Sequence, residues 1–181
     1  MNRNSLWIGA VVVICTMAGC AKDPIETAVG TNDRAAVAEA VKAGADVNAK
    51  VSGGDTPLLM AVKSGESSSA QGLIEAGADI NAHDRTGNGV LHYAARSGMT
   101  GICGLLVDRG IAIDEKGADG ATPLQFAIQG GRQETAKYLV RRGASLELKD
   151  ESGASALDLV TRSGDTRFKS DLVLAATMRT N

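Results

Sequence analysis

Aromatic residues are scarce in this chain of 181 residues, which has one tryptophan, two tyrosines and two phenylalanines. Aromatic side chains supply much of the buried area in most cores, so a β-sandwich or an α/β enzyme fits this composition poorly. Only two histidines and three cysteines are present. No H-E-x-x-H pair, paired-cysteine motif, G-x-S-x-G elbow or phosphate-binding glycine loop occurs, and Gly87-Asn88-Gly89 reads as a turn. The chain offers no catalytic constellation, no metal-ligand set and no cofactor cradle, and it reads as non-enzymatic. A basic surplus is also missing: the net charge is −2, a poor basis for non-specific nucleic-acid binding.

What is present is a period. Gly44, Gly77, Gly110 and Gly143 recur at an interval of 33, and the phrase Gly44-Ala45-Asp46-Val47-Asn48-Ala49 returns as Gly77-Ala78-Asp79-Ile80-Asn81-Ala82. Between the glycines, Asp55-Thr56-Pro57-Leu58, Asn88-Gly89-Val90-Leu91-His92 and Ala121-Thr122-Pro123-Leu124 keep the same register. Asp23-Pro24-Ile25 extends it one period earlier and Ser155-Ala156-Leu157 one period later. A fixed interval of this length marks a repeat array, here of about five units from Asp23 onward.

Thr56-Pro57-Leu58 with Ala61, Gly65 and Gly77-Ala78-Asp79-Ile80-Asn81-Ala82 resembles the ankyrin repeat, and the likeness covers nearly all of the chain after residue 22. The resemblance implies an all-α solenoid of helix-turn-helix units, about 23–50, 51–83, 84–116, 117–149 and 150–178, joined by β-hairpin-like finger loops. Local chemistry agrees. Thr56 and Thr122 are placed to cap helices that open with Pro57 and Pro123. Asp23 with Glu26 has the pattern of a capping box, and Ser155 with Asp158 a weaker form of it. One such unit cannot bury its apolar face alone, so neighbours must stack, and abundant small residues suit close stacking. The third unit departs most, with Gly89-Val90 for threonine-proline and Gly101 and Gly104 inside its second helix. Interior glycines cost roughly 1 kcal/mol each relative to alanine, so this helix and the preceding one, which holds Gly72, are expected to be the softest.

Ahead of the repeats stand Arg3, an apolar run from Leu6 to Ala18, and Gly19-Cys20. A short apolar stretch after one positive charge describes a secretory signal over residues 1–19, too short to span a bilayer. Met17-Ala18-Gly19-Cys20 resembles a bacterial lipobox, which implies an acylated Cys20 as mature N-terminus with residues 20–22 as a short tether. An ordinary signal peptide and an uncleaved anchor are the competing readings. Ala21 after the cysteine points to the outer membrane, with the array facing the periplasm. Cys15 leaves with the signal and Cys20 carries lipid, so Cys103 stands alone as a buried thiol.

In the resembled family the interaction surface comprises the fingertips and the exposed ends of the first helices. Carried over, it comprises Lys50, Ser52, Asp55, Lys63, His83, Arg85, Thr86, Asn88, Arg96, Lys116, Asp119, Gln129, Lys149, Glu151 and Arg162. His92 falls where the family pattern places a histidine in a local hydrogen-bond network. Basic residues lead among the charged candidates, which points to a protein partner with an acidic surface. The expected molecule is a monomer until it meets that partner. It suits an inhibitor or immunity protein that neutralises a toxic periplasmic lipase or wall-degrading enzyme. It equally suits a scaffold for a resident periplasmic enzyme, for instance one of oxidative defence.

Overall fold

The computed structural model describes residues 23–51 and 53–178. Ten α-helices follow one another in them: α1 Pro24–Gly30, α2 Arg34–Lys42, α3 Pro57–Ser64, α4 Ser67–Glu75, α5 Val90–Ser97, α6 Thr100–Asp108, α7 Pro123–Gln129, α8 Gln133–Arg141, α9 Ala156–Ser163 and α10 Thr166–Thr177. Odd-numbered helices form one row and even-numbered helices a second, and each pair packs on the next along the array. The segments between pairs are fingers closed by one backbone hydrogen bond, which recurs as Val51 N–H to Asp55 O, Asp84 to Asn88, Gly117 to Ala121 and Asp150 to Ala154. Five helix pairs and four fingers therefore match the interval of 33.

The helix boundaries follow from cap chemistry. Thr56 and Thr122 hydroxyls accept from the Leu59 and Gln125 amides at 3.3 and 3.4 Å, and proline opens α3 and α7. Ser155 forms a complete capping box, because its hydroxyl accepts from the Asp158 amide at 3.2 Å while Asp158 Oδ2 accepts from the Ser155 amide at 2.9 Å. That cap is stronger than the sequence pattern promised. The expectation at the other end fails, since the Asp23 side chain makes no cap bond and α1 starts on Pro24. Gly65, Gly98 and Gly164 end the inner helices at φ of 77°, 79° and 75°, where a Cβ would be strained. Asn32 takes the equivalent place in the first unit at φ 50°, and its side-chain oxygen accepts from the Ser68 amide at 3.0 Å. It thereby caps α4, a helix of the next unit.

The aspartate and asparagine of the repeated phrase have separate tasks. Asp46 and Asp79 each accept from the amide two residues on, at 2.9 Å, and fold the chain back on itself. Asn48 Oδ1 instead accepts from the Asp79 amide at 2.8 Å, and Asp114 from the Ser145 amide at 2.9 Å, so both cross to the following unit. Stacking is thus specified by polar bonds as well as by apolar area.

Apolar columns run through the array at the same interval: Leu58, Leu91 and Leu124 in the inner row, and Leu73, Leu106, Leu139 and Leu172 in the outer row, all fully buried. Each such leucine contributes roughly 1.5–3 kcal/mol on burial. Cys103 shares a column with Ala70 and Ala136 and is fully buried. Burial pushes its thiol up to about 12, which leaves it protonated and unreactive.

The interior glycines divide by their neighbours. A side chain at Gly72 would press on the Arg34 backbone, and one at Gly104 would meet the Tyr138 hydroxyl. Close approach of the adjacent outer helix explains both, whereas Gly101 is exposed and faces open space. Gly101→Ala is expected to raise stability by about 1 kcal/mol, or roughly 2–4 °C in Tm, in a thermal melt. Gly104→Ala should give no gain, because the helix-propensity benefit is offset against Tyr138.

At the far end, Val173 and Leu174 of α10 and Met178 directly after it are exposed. Val173 continues the column of Ile74, Val107 and Val140, which the following units cover, while Leu174 stands where Glu75, Asp108 and Arg141 are solvated. Among the described residues no helix is long and apolar enough to cross a membrane.

Candidate interaction surface

Hollows open along the side formed by the inner row and the fingers, and the most buried polar groups of that side are structural. His92 is fully buried on α5. Its Nδ1 accepts from the Gly89 amide at 3.2 Å, and Nε2 lies 3.1 and 3.2 Å from the Glu115 and Ala121 carbonyls. A nitrogen facing an N–H must accept and one facing carbonyls must donate, so the imidazole is neutral with its proton on Nε2. Burial accordingly holds its pKa below the usual histidine range.

One period later Gln125 performs both tasks with an amide. Its Oε1 accepts from the Thr122 amide at 2.8 Å and its Nε2 donates to the Ala154 carbonyl at 2.7 Å. Sequence reasoning passed over Gln125, although its place 33 residues after His92 and its paired donor and acceptor would have revealed it. Each of these side chains caps its own helix and grips the finger that follows.

A second network anchors the finger of residues 84–88. Lys63 Nζ contacts Asp55 and Asp84 carboxylates at 2.8 and 3.0 Å and lies 4.8 Å from the centre of the Tyr93 ring. Tyr93 donates its hydroxyl proton to Asp84 at 2.6 Å, and the Thr86 amide and hydroxyl add bonds at 2.9 and 2.7 Å. Burial opposes ionisation of Asp84, but these donors outweigh it and hold the carboxyl well below its usual range. For Lys63 too, burial works against the charge, and the bonds to the two aspartates prevail and raise its pKa.

This geometry redistributes the carried-over residues. Asn88 is buried; its amide donates to Thr86 at 3.0 Å and accepts from the Ala118 N–H at 2.9 Å, so its polar atoms are taken up in joining two fingers. Lys63 and Asp55 satisfy each other, and Thr86 is turned onto Asp84. His83 pairs with Glu115 at 2.9 Å, and Lys116 donates to the Lys149 carbonyl at 3.0 Å. Lys50, Arg85, Lys149 and Arg162 are exposed, with the Arg85 guanidinium lying over Gly54. Ser52 and Cys20 lie outside the described residues. The expected basic lean is reduced, because Asp84, Glu115 and Asp150, none of them among the candidates, stand close to Lys63, His83 and Arg162.

Arg96 and Gln129 occupy the centre of the face, where two hollows of about 440 and 560 Å³ meet and share them as lining. Tyr93 lies in the first and Phe126 in the second, and their rings pack edge to face with centroids 6.4 Å apart. Arg132 Nε donates to the Arg96 carbonyl at 3.1 Å, and the bare backbone of Gly130 lets α7 approach that same carbonyl. Asp119 and Glu151 rim the second hollow, their fingertips tied by the Glu151 amide donating to the Asp119 carbonyl at 2.8 Å. Among the described residues no group of three or more histidine, cysteine, aspartate or glutamate side chains is placed to hold a metal ion.

Two family models match the chain: one described as "Ankyrin repeats (3 copies)" over residues 80–150, and one described as "Ankyrin repeat" over residues 53–85. The chain is an ankyrin-repeat protein. No curated protein matches this ankyrin-repeat chain. The matched segments leave out the first and last units, yet α1–α2 and α9–α10 are helix pairs of the same kind and extend the ankyrin array at both ends. Ankyrin repeats are protein–protein interaction modules and generally non-catalytic, and the fixed inner network with an open groove above it suits that use.

Proposed function

We propose that this chain binds another protein stoichiometrically in its concave groove, catalyses nothing itself, and is held at the bacterial envelope through an acylated Cys20 with the array facing the periplasm. The observation that carries the binding reading is the junction of two hollows at Arg96 and Gln129, with aromatic rings beneath and no ion-pair partner for Arg96 among the described residues. A guanidinium at the centre of a concave, aromatic-floored surface is the kind of group that dominates binding energy. The partner's surface is of mixed charge rather than uniformly acidic, since carboxylates accompany the basic residues.

Affinity capture from envelope extracts tests the site. Arg96→Glu with Arg85→Glu is expected to lower recovery of the partner at least tenfold, and unchanged recovery would contradict concave-face binding. Cys20→Ala should move the protein from the membrane fraction to the soluble periplasmic fraction, and continued sedimentation would contradict the lipid anchor. Binding of this kind serves either neutralisation of a toxic hydrolase or support of a resident enzyme. The activity of the captured partner under saturating chain separates these roles, since it is abolished in the first and preserved in the second.

A further inference from the structure

The two hollows carry opposite charge. Lys63, Arg96 and Arg132 line the first, and with Lys63 held between Asp55 and Asp84 its positive character rests on the two arginines. The second is lined by Asp119, Asp150 and Glu151 and shares Arg96 with the first, and with Arg162 close to Asp150 its negative character rests chiefly on Asp119 and Glu151. Asp150 stays ionised, because the Ser152 hydroxyl and the Ala154 amide donate to its carboxylate at 2.6 and 3.0 Å and lower its pKa. Asp119 sits at φ 56°, a left-handed conformation that Gly53 holds at φ 95° in the finger two units earlier. Its side chain therefore stands at a tip where glycine would meet the backbone demand with less strain.

Resting on the concave-face reading, we propose that the groove recognises a dipolar segment of its protein partner: a surface loop that places a lysine or arginine in the hollow of Asp119, Asp150 and Glu151 and an aspartate or glutamate against Arg96 and Arg132. Neither a uniformly acidic surface nor an anionic lipid face satisfies both hollows, whereas a loop with the two charges close together does. Opposed charges fix the direction in which the loop lies, since reversing it sets like charges against each other at both ends. The Phe126 and Tyr93 rings then cover the stretch between the two charges.

The probe is a displayed library of random cyclic peptides, selected on the full chain. Wild type is expected to enrich loops that contain both a base and an acid at a fixed separation. Asp119→Lys with Glu151→Lys should weaken those loops at least tenfold, and reselection on that variant should replace the base by an acid. Arg96→Glu should act reciprocally on the acid. Arg96 and Glu151 are exposed, so changes there should leave the melting temperature with wild type, while Asp119→Lys carries a small extra cost at φ 56° that the thermal melt reads apart from binding. Enriched loops without both charges, or the absence of any enriched loop, overturn the dipolar proposal. A third variant, Gln129→Trp, fills the junction of the hollows: loops that it blocks but that ignore charge reversal leave concave binding standing while the dipolar form fails. Loops indifferent to all three variants overturn concave binding as well.

Discussion

Replacing His92 with leucine is expected to destabilise the protein by about 3 kcal/mol or more, because each buried polar group left without a partner costs roughly 1–3 kcal/mol. The Gly89 amide and the Ala121 and Glu115 carbonyls would all lose their bond to the ring. Steric misfit is not the cause, since Leu59 occupies the equivalent position one unit earlier and is fully buried there. His92→Gln should cost under about 1 kcal/mol by the same reasoning, as Gln125 already caps its helix and reaches the next finger with a glutamine amide. Chemical denaturation of the two variants reads the difference directly, and equal losses would contradict the hydrogen-bond account. The neutral ring also ties stability to pH. Its folded pKa lies below the unfolded value of about 6.5, so the unfolded chain takes up the proton first. Stability from His92 is complete above that value and declines as pH falls toward the folded one, and His92→Gln should lack this decline.

Asp84→Ala is expected to cost about 2–3 kcal/mol, the second largest loss. It removes the acceptor for the Tyr93 hydroxyl, for the Thr86 amide and hydroxyl and for the Asn88 amide, and one of two carboxylates on Lys63. The Asp84 side chain retains 6% of its exposure, so water replaces these bonds poorly. Its contribution to stability is present above the unfolded aspartate value of about 3.9 and is lost as pH drops toward the depressed folded one. Acid unfolding should therefore show an early decline that disappears in His92→Gln and a later one that disappears in Asp84→Asn. A wild-type profile flat from neutral pH to the carboxylate range would contradict the assignment of His92.

The interval of 33 made the helix pairs, their capping threonines and the terminating glycines legible, because each depends on residues within one unit. What crosses between units was hidden. Asn32 capping α4, Asn88 joining two fingers and Glu115 pairing with His83 each involve partners about one period apart at a shifted offset, which a comparison of equivalent positions does not align. The same limit affected the candidate surface. Equivalence of positions places Lys63 at the exposed end of an inner helix, and it does not show that Asp84, from the next finger, lies 3.0 Å from it. Gln125 shows the opposite case, a position that equivalence with His92 would have found and chemical dissimilarity concealed. Gly72 and Gly104 look like weak points along a helix and prove to be points of close approach between helices. Arg96 and Gln129 follow from position alone, since the inner row on which the repeat places them lines the groove.

Amide hydrogen exchange of the full chain, alone and with the partner recovered by capture, tests the central claim most directly. Concave binding predicts new protection in the fingers at residues 83–89, 117–122 and 150–155 and in the last turns of α5 and α7, with the outer helices unchanged. Protection confined to the outer row or to the exposed face of α10 around Leu174 would contradict it.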